Sequence, residues 1–423
     1  MRSKEYPAIG EFVCREQMEN GLTIYVDRKM GYNKSTAFFA TRYGGADRRF
    51  RLGGKWVDTP AGVAHFLEHK MFDMPEGDAL TALSVAGASA NAFTSSFITA
   101  YYFECTGRFE ENLRTLLRFV STPYFMQASV DKEQGIIGQE IRMTEDDPDY
   151  ALYYGLLQSL YRENPVRDSV AGTVESIAEI TPQTLYDCHK VFYNPSNMVL
   201  CVAGDQDIRR ITDIAREILP VDGGECPVRD YGKDDGPAPV RKVNRREMEV
   251  SQPLFMAGAK ADASLTGAAA QRLQLTADLA LKALMGPSTA LYARLYRDGL
   301  INQTFLTEFE SNSGASFALF GGESRDPDAV VQEVTAQAAA VERAGLDTEL
   351  FERLKKAAIG EQLRGLDSFN DVCYTMAQGY FRGYDPFEAC RIIESIGPDE
   401  AAAFLREHLA ADRLALSVVS GAR

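Results

Sequence analysis

Between residues 59 and 72 the chain reads TPAGVAHFLEHKMF, and two of its four histidines fall there, four residues apart with Glu68 between them. On a helix, positions i, i+3 and i+4 share a face, so His65, Glu68 and His69 project together. Their neighbours Ala64, Phe66, Leu67, Met71 and Phe72 are apolar almost all round, which predicts a buried helix. A carboxylate and two imidazoles are costly to bury without compensation. Two arrangements supply it. The histidines can be satisfied core residues in a structural ion pair, or they can ligate a divalent zinc while the carboxylate works on its bound water. Asp58 or Thr59 can cap this helix, and Pro60 fits its first position.

A catalytic zinc calls for a third protein ligand and an open position. The stretch VDKEQGIIGQEI, residues 130–141, offers a candidate. At about 100° per helical residue, Val130, Ile137 and Ile141 line up within roughly 40°, and Glu133 and Glu140 fall about 20° apart beside that stripe. A solvated acidic face is the ordinary reading of such acids, and it suits Glu145, Asp146 and Asp147 just beyond. Glu133 and Glu140 instead lie in the apolar sector, which suggests a cation.

The wider chain alternates strand-like and helical stretches. LTIYVD (22–27) and TAFFATRY (36–43) read as a hairpin, and ANAFTSSFITAYYFEC (90–105) as one extended stretch. Helical patterns occupy roughly 107–147 and 149–160. NMVLCVAGD (197–205) is a buried strand, and RLALSVVSG mirrors it near the end of the chain. A Gly-, Pro- and Asp-rich linker at 221–243 separates the two. The expectation is an α+β protein of two similar domains, residues 1–220 and 244–423, each an antiparallel sheet covered by helices.

The formal net charge of −15 argues against a nucleic-acid or anionic-membrane partner. No apolar run approaches the length needed to span a bilayer, and the first residues lack the pattern of a secretory signal. The seven cysteines are scattered without C-x-x-C spacing, as expected in a reducing compartment, so a cytoplasmic location is expected. His189 and His408 have no acidic or cysteine companions at ligand spacing and read as structural or surface residues.

By the residues quoted above, the chain resembles the inverted-motif zinc peptidases of the pitrilysin/insulysin family, peptidase family M16. The resemblance implies that His65, His69 and Glu140 ligate one zinc per chain, that Glu68 is the general base, and that Glu133 is a second catalytic acid orienting the site. GASANAFTSSFITAYYF (87–103) is similar to the family strand whose edge pairs with a peptide substrate, which places Asn91, Ala92 and Phe93 at substrate-binding positions. GPSTALYARLYRDGL (286–300) looks like a segment of the family's second domain. The implied fold is two homologous domains forming half of a clamshell, in the short, single-half (M16B-type) branch.

One departure stands out. Active relatives hold substrate with an Arg and a Tyr from a second-domain segment resembling R-E-K-G-L-A-Y. Here the segment reads RDGLIN, with Arg297 present, one residue fewer, and Asn302 or its neighbour where tyrosine is expected. Another tyrosine can substitute, or a second M16-type subunit can supply the pair; a heterodimer with a partner lacking the zinc motif is favoured over a homodimer. The implied activity is endopeptidase action on short or unfolded peptides in a closed chamber. A non-catalytic assembly subunit or peptide-binding clamp is the alternative.

Overall fold

The computed structural model describes residues 1–421 except 234 and 313. Its chain divides into two units that interleave along the sequence. One contains residues 1–141, 169–231 and 363–381, the other 142–168, 232–362 and 382–423. The turn-rich 221–243 stretch therefore contains one of several crossings between them.

The first unit is built on a seven-stranded sheet. Its strands are β1 (Arg2–Tyr6), β2 (Glu11–Gln17), β3 (Thr23–Arg28), β4 (Ser35–Thr41), β5 (Ala88–Thr94), β6 (Thr99–Cys105) and β7 (Met198–Gly204). Their spatial order is β1-β2-β3-β7-β4-β6-β5. β7 pairs parallel with β3 and antiparallel with β4, and β4, β6 and β5 continue antiparallel. The stretch expected as one extended segment at 90–105 is thus a hairpin. Ser95 turns the chain: its backbone N–H donates to Ile98 O, and its hydroxyl accepts from the backbone N–H of Ile98. β4 and β7 are buried along their whole lengths, as central strands covered on both faces should be.

Helices α1 (Val63–Met71), α2 (Phe109–Ser121) and α3 (Gln127–Glu145) cover this sheet and share one core with it. The helical pattern expected over 107–147 therefore breaks into two helices. Each Leu or Phe of that core contributes about 1.5–3 kcal/mol by leaving water. A later segment returns to the same unit: Lys29 Nζ donates to Leu366 O (3.3 Å), and Tyr374 on the helix Phe369–Arg382 contacts the rings of Phe38 and Phe93.

The second unit has a five-stranded sheet of β8 (Val243–Glu247), β9 (Leu254–Ala261), β10 (Leu306–Ser311), β11 (Ser316–Glu323) and β12 (Ala415–Ser420). Its order is β8-β12-β9-β11-β10, with β12 parallel to β8 and the rest antiparallel. Strand for strand, this repeats β3-β7-β4-β6-β5 of the first unit. Helix α4 (Pro148–Leu160) belongs here: Gly155 lies so close to β8 and β12 that a Cβ would stand 2.5 Å from Ser417 Oγ and 2.6 Å from Asn244 Nδ2. Tyr153 on the same helix donates its hydroxyl to Glu310 of β10 (2.7 Å). The α+β architecture of two similar sandwich domains is the one expected.

Candidate metal centre

α1 starts later than Asp58, Thr59 and Pro60 suggest. Asp58 closes a short strand, Lys55–Asp58, and pairs with Arg49 (3.1 Å). The Thr59 hydroxyl donates to Arg48 O (3.1 Å) instead of capping a helix. The cap position is Gly62, at φ +93°, and no side chain caps the helix. A Cβ there would lie 2.5 Å from Ala171 O, so the chain passes too close for any side chain. Beyond it α1 buries Val63, Ala64, Phe66, Leu67 and Met71, and with them Glu68 and Lys70.

α3 brings Glu140 against this helix. Glu140 Oε1 is 3.5 Å from His65 Nε2, and Oε2 is 3.8 Å from His69 Nε2. One ligand atom from each of the three residues lies within 4.8 Å of the others, a grouping of metal-ligand type. Donors bound tetrahedrally at about 2.0–2.1 Å from one ion stand roughly 3.3 Å apart, so these side chains are already near ligating separation. Glu133, one turn pair earlier on α3, places Oε1 3.1 Å from His69 Nδ1. A carboxylate accepts, so Nδ1 carries the hydrogen and the lone pair of Nε2 faces Glu140. His65 Nδ1 is buried and has no hydrogen-bond partner among the described residues, so only one of the two rings is held from behind.

Glu68 sits beside the cluster, 8 % exposed, and Thr94 at the end of β5 donates its hydroxyl to Glu68 Oε2 (2.6 Å). Burial raises the proton affinity of the Glu68 carboxyl above its ordinary value, against the pull of Thr94 and His69, and the Glu140 charge adds to the rise. His65 is pushed down to about 4, by burial first and then by the neighbouring His69, which keeps its imidazole neutral and able to ligate. Burial acts to lower His69 as well, but its hydrogen bond to Glu133 and the surrounding carboxylates reverse the sign and raise it. Burial likewise lifts Glu133, yet its bond to His69 and the charge of Lys70 overcome this and hold it below the usual range. Two imidazoles and a carboxylate thus converge beside a buried base, an arrangement able to hold a divalent ion and handle a water.

The other expected residues fall in two places. Asn91, Ala92 and Phe93 lie on β5, one of the two edge strands of the first sheet, where Asn91 Oδ1 accepts from the Ala92 backbone N–H (2.9 Å). Arg297 ends the helix Ala290–Arg297 of the second unit, with its side chain largely in solvent and Asp298 4.0 Å away. Asn302 is occupied locally: it donates to Glu323 (2.5 Å) and accepts from Thr304 N–H (2.8 Å). Sequence reasoning passed over Thr94 and Lys70. A threonine at the end of the quoted strand and a lysine inside an apolar helix were the available signals.

The family model described as Insulinase (Peptidase family M16) matches residues 53–174, and that of the Peptidase M16 inactive domain matches 179–358. A Bacillus subtilis (strain 168) protein named uncharacterized zinc protease YmfH is 39% identical over 426 residues, 98% of each chain. A Mycobacterium leprae protein, uncharacterized zinc protease ML0855, is 29% identical over 256 residues, 57% of this chain and 55% of its own. Among solved structures, one described as a candidate M16-like peptidase from Alicyclobacillus acidocaldarius superposes with a TM-score of 0.92 at 33% identity, covering 100% of both chains. A protease from Helicobacter pylori shares the fold at a TM-score of 0.82 and 16% identity, over 96% of this chain and 99% of that one. With its H-x-x-E-H helix, its downstream glutamates and these matches together, the chain belongs to peptidase family M16.

Proposed function

We propose that the chain is a zinc-dependent endopeptidase acting on short or unfolded peptides, with Glu68 as its general base. The observation that carries this reading is the convergence of His65, His69 and Glu140 beside a buried Glu68. The donor set suits zinc: two imidazoles and one carboxylate leave a fourth position open, and His69 is already oriented from behind by Glu133. When bound there, zinc acidifies a water and polarises a scissile carbonyl. Glu68, aimed by Thr94, takes the attacking water's proton and returns it to the departing amine.

The edge of β5 accepts an extended peptide as an added strand, with Asn91, Ala92 and Phe93 along the pairing. Such pairing reads backbone and so tolerates varied sequences, but a folded domain presents no free strand to it. Arg297 is the remaining substrate-binding residue of this reading, and the lack of a tyrosine at 302 supports a second M16-type subunit, a chain without the zinc motif, as the source of the missing group.

Glu68→Gln tests the assignment. It should cut hydrolysis of a fluorogenic peptide by about 10²–10⁴-fold while leaving about one zinc per chain. Full activity in that variant would overturn the role of Glu68. A metal-free wild type that holds peptide without cleaving it would favour the peptide-binding clamp.

A further inference from the structure

Lys70 is the one lysine of α1, and its side chain is 1% exposed. An ammonium buried that far needs partners on every side. Its Nζ donates to Asp73 and to Ser129, and Glu133 Oε2 lies 3.6 Å away. Ser129 also donates to the same Asp73 oxygen (2.5 Å), which ties the two anchors together. Ser129 and Glu133 are four residues apart on α3, so one face of that helix presents both to Lys70.

The two oxygens of Glu133 are therefore divided between consecutive residues of α1. Oε1 takes His69 Nδ1–H and Oε2 faces Lys70. A carboxylate hydrogen-bonded through one oxygen and ion-paired through the other is restrained in rotation, and so is the ring it holds. Local neutralisation of Asp73 would be the plainer role for this lysine. Asp73, however, is 40% exposed and water can solvate it, whereas the Glu133 side chain is only 15% exposed. The acid that depends on the buried ammonium is Glu133.

We propose that Lys70 is a positioning residue of the metal centre: held by Asp73 and Ser129, it fixes Glu133 so that Glu133 keeps the His69 Nε2 lone pair turned toward Glu140. This rests on the zinc reading above, and it adds a residue that acts on His69 through another side chain. Loss of such an outer partner typically weakens metal binding about 10–100-fold.

The test measures zinc affinity by chelator competition in the wild type, Lys70→Met, Glu133→Gln and the double variant. Lys70→Met should weaken binding about 10–100-fold alone and less than about 3-fold in the Glu133→Gln background. Equal losses in both backgrounds, or none in either, would overturn the proposal. A second measurement needs no metal. With ¹⁵N-labelled histidine at a pH where the imidazoles are neutral, His69 should carry its hydrogen on Nδ1 in the wild type and become a tautomer mixture in Lys70→Met. An unchanged tautomer in the variant would sink the idea. A wild type that binds no zinc would overturn the peptidase reading, and the tautomer comparison would still decide for or against Lys70. Should Lys70→Met not fold, Ser129→Ala removes one anchor of the ammonium and should move the same tautomer signal, less far; no movement there counts against the proposal.

Discussion

Both units thread five strands in the same order, with the last strand inserted parallel to the first, yet two of their inward acids, Glu133 and Glu310, meet different partners. In the first unit the connection after β4 contains α1, which carries His65, Glu68 and His69, and Glu133 behind them is held below the usual carboxylate range between His69 and Lys70. In the second unit the connection after β9 forms the helices Gly267–Met285 and Ala290–Arg297, which bury Ala277, Leu281, Leu284, Leu291 and Leu295. One acid that points inward there, Glu310, is pushed up to about 7 by burial, and the donated Tyr153 hydroxyl only partly offsets the rise. Among the described residues, no second group of metal-ligand type is found. The strand order is a neutral frame, and chemistry enters where several polar side chains stand close enough to share one cation.

That contrast can be broken most directly at the candidate ligands. Glu140→Gln should weaken zinc binding by about 10²-fold or more, because a carboxylate ligand becomes a neutral amide. Arg297→Ala, in the other unit, should leave zinc affinity unchanged. A comparable loss in both variants, read by the same chelator competition, would remove the distinction between the units.

Next in size is the approach of the chain to α1. Gly62→Ala places a Cβ against Ala171 O at a left-handed φ and should cost about 3 kcal/mol in denaturant unfolding, with zinc content falling alongside. Wild-type stability in that variant would mean that the entry to α1 can shift, and that the cluster does not depend on it.

The smallest effect separates the two histidines outside the cluster. Each unit buries one in the helix preceding its inserted strand: His189 Nε2 donates to Val120 O (3.0 Å), and His408 Nδ1 donates to Lys260 O (3.1 Å). Burial lowers both, His189 to about 4. A folded-state value below the unfolded one means that the unfolded chain binds the extra proton between about pH 4 and 6.5. Stability therefore rises with pH across that window and is lost as pH falls through it. For His189 the loss at pH 5 is about 2 kcal/mol. His189→Gln should flatten the pH dependence of unfolding more than His408→Gln does; the reverse order would assign the sensitive site to the second unit.

Much of the centre was legible along the chain because helical periodicity is local. The i, i+3, i+4 spacing puts His65, Glu68 and His69 on one face whatever surrounds them, and seven residues return Glu140 to the face of Glu133. The strands at 23–28 and 198–204 were equally readable from their apolar runs. β1 and β2 were not anticipated, since β1 is mostly exposed and neither forms an apolar run. The hairpin at 88–105 was merged into one stretch because its turn, Ser95 to Ile98, contains neither Gly nor Pro.

The sequence by itself thus determined the α+β class, the helix that carries the candidate ligands and the acids placed to join them, since each is a matter of spacing within one element. Only the tertiary structure decided which partners those residues meet: Thr94 on Glu68, Lys70 behind Glu133, and Gly62 rather than Thr59 at the start of α1. It also decided that 148–160 packs with the second unit and 363–381 with the first. Those outcomes depend on contacts between residues far apart in the chain, where burial and close approach select among options that local periodicity leaves equal.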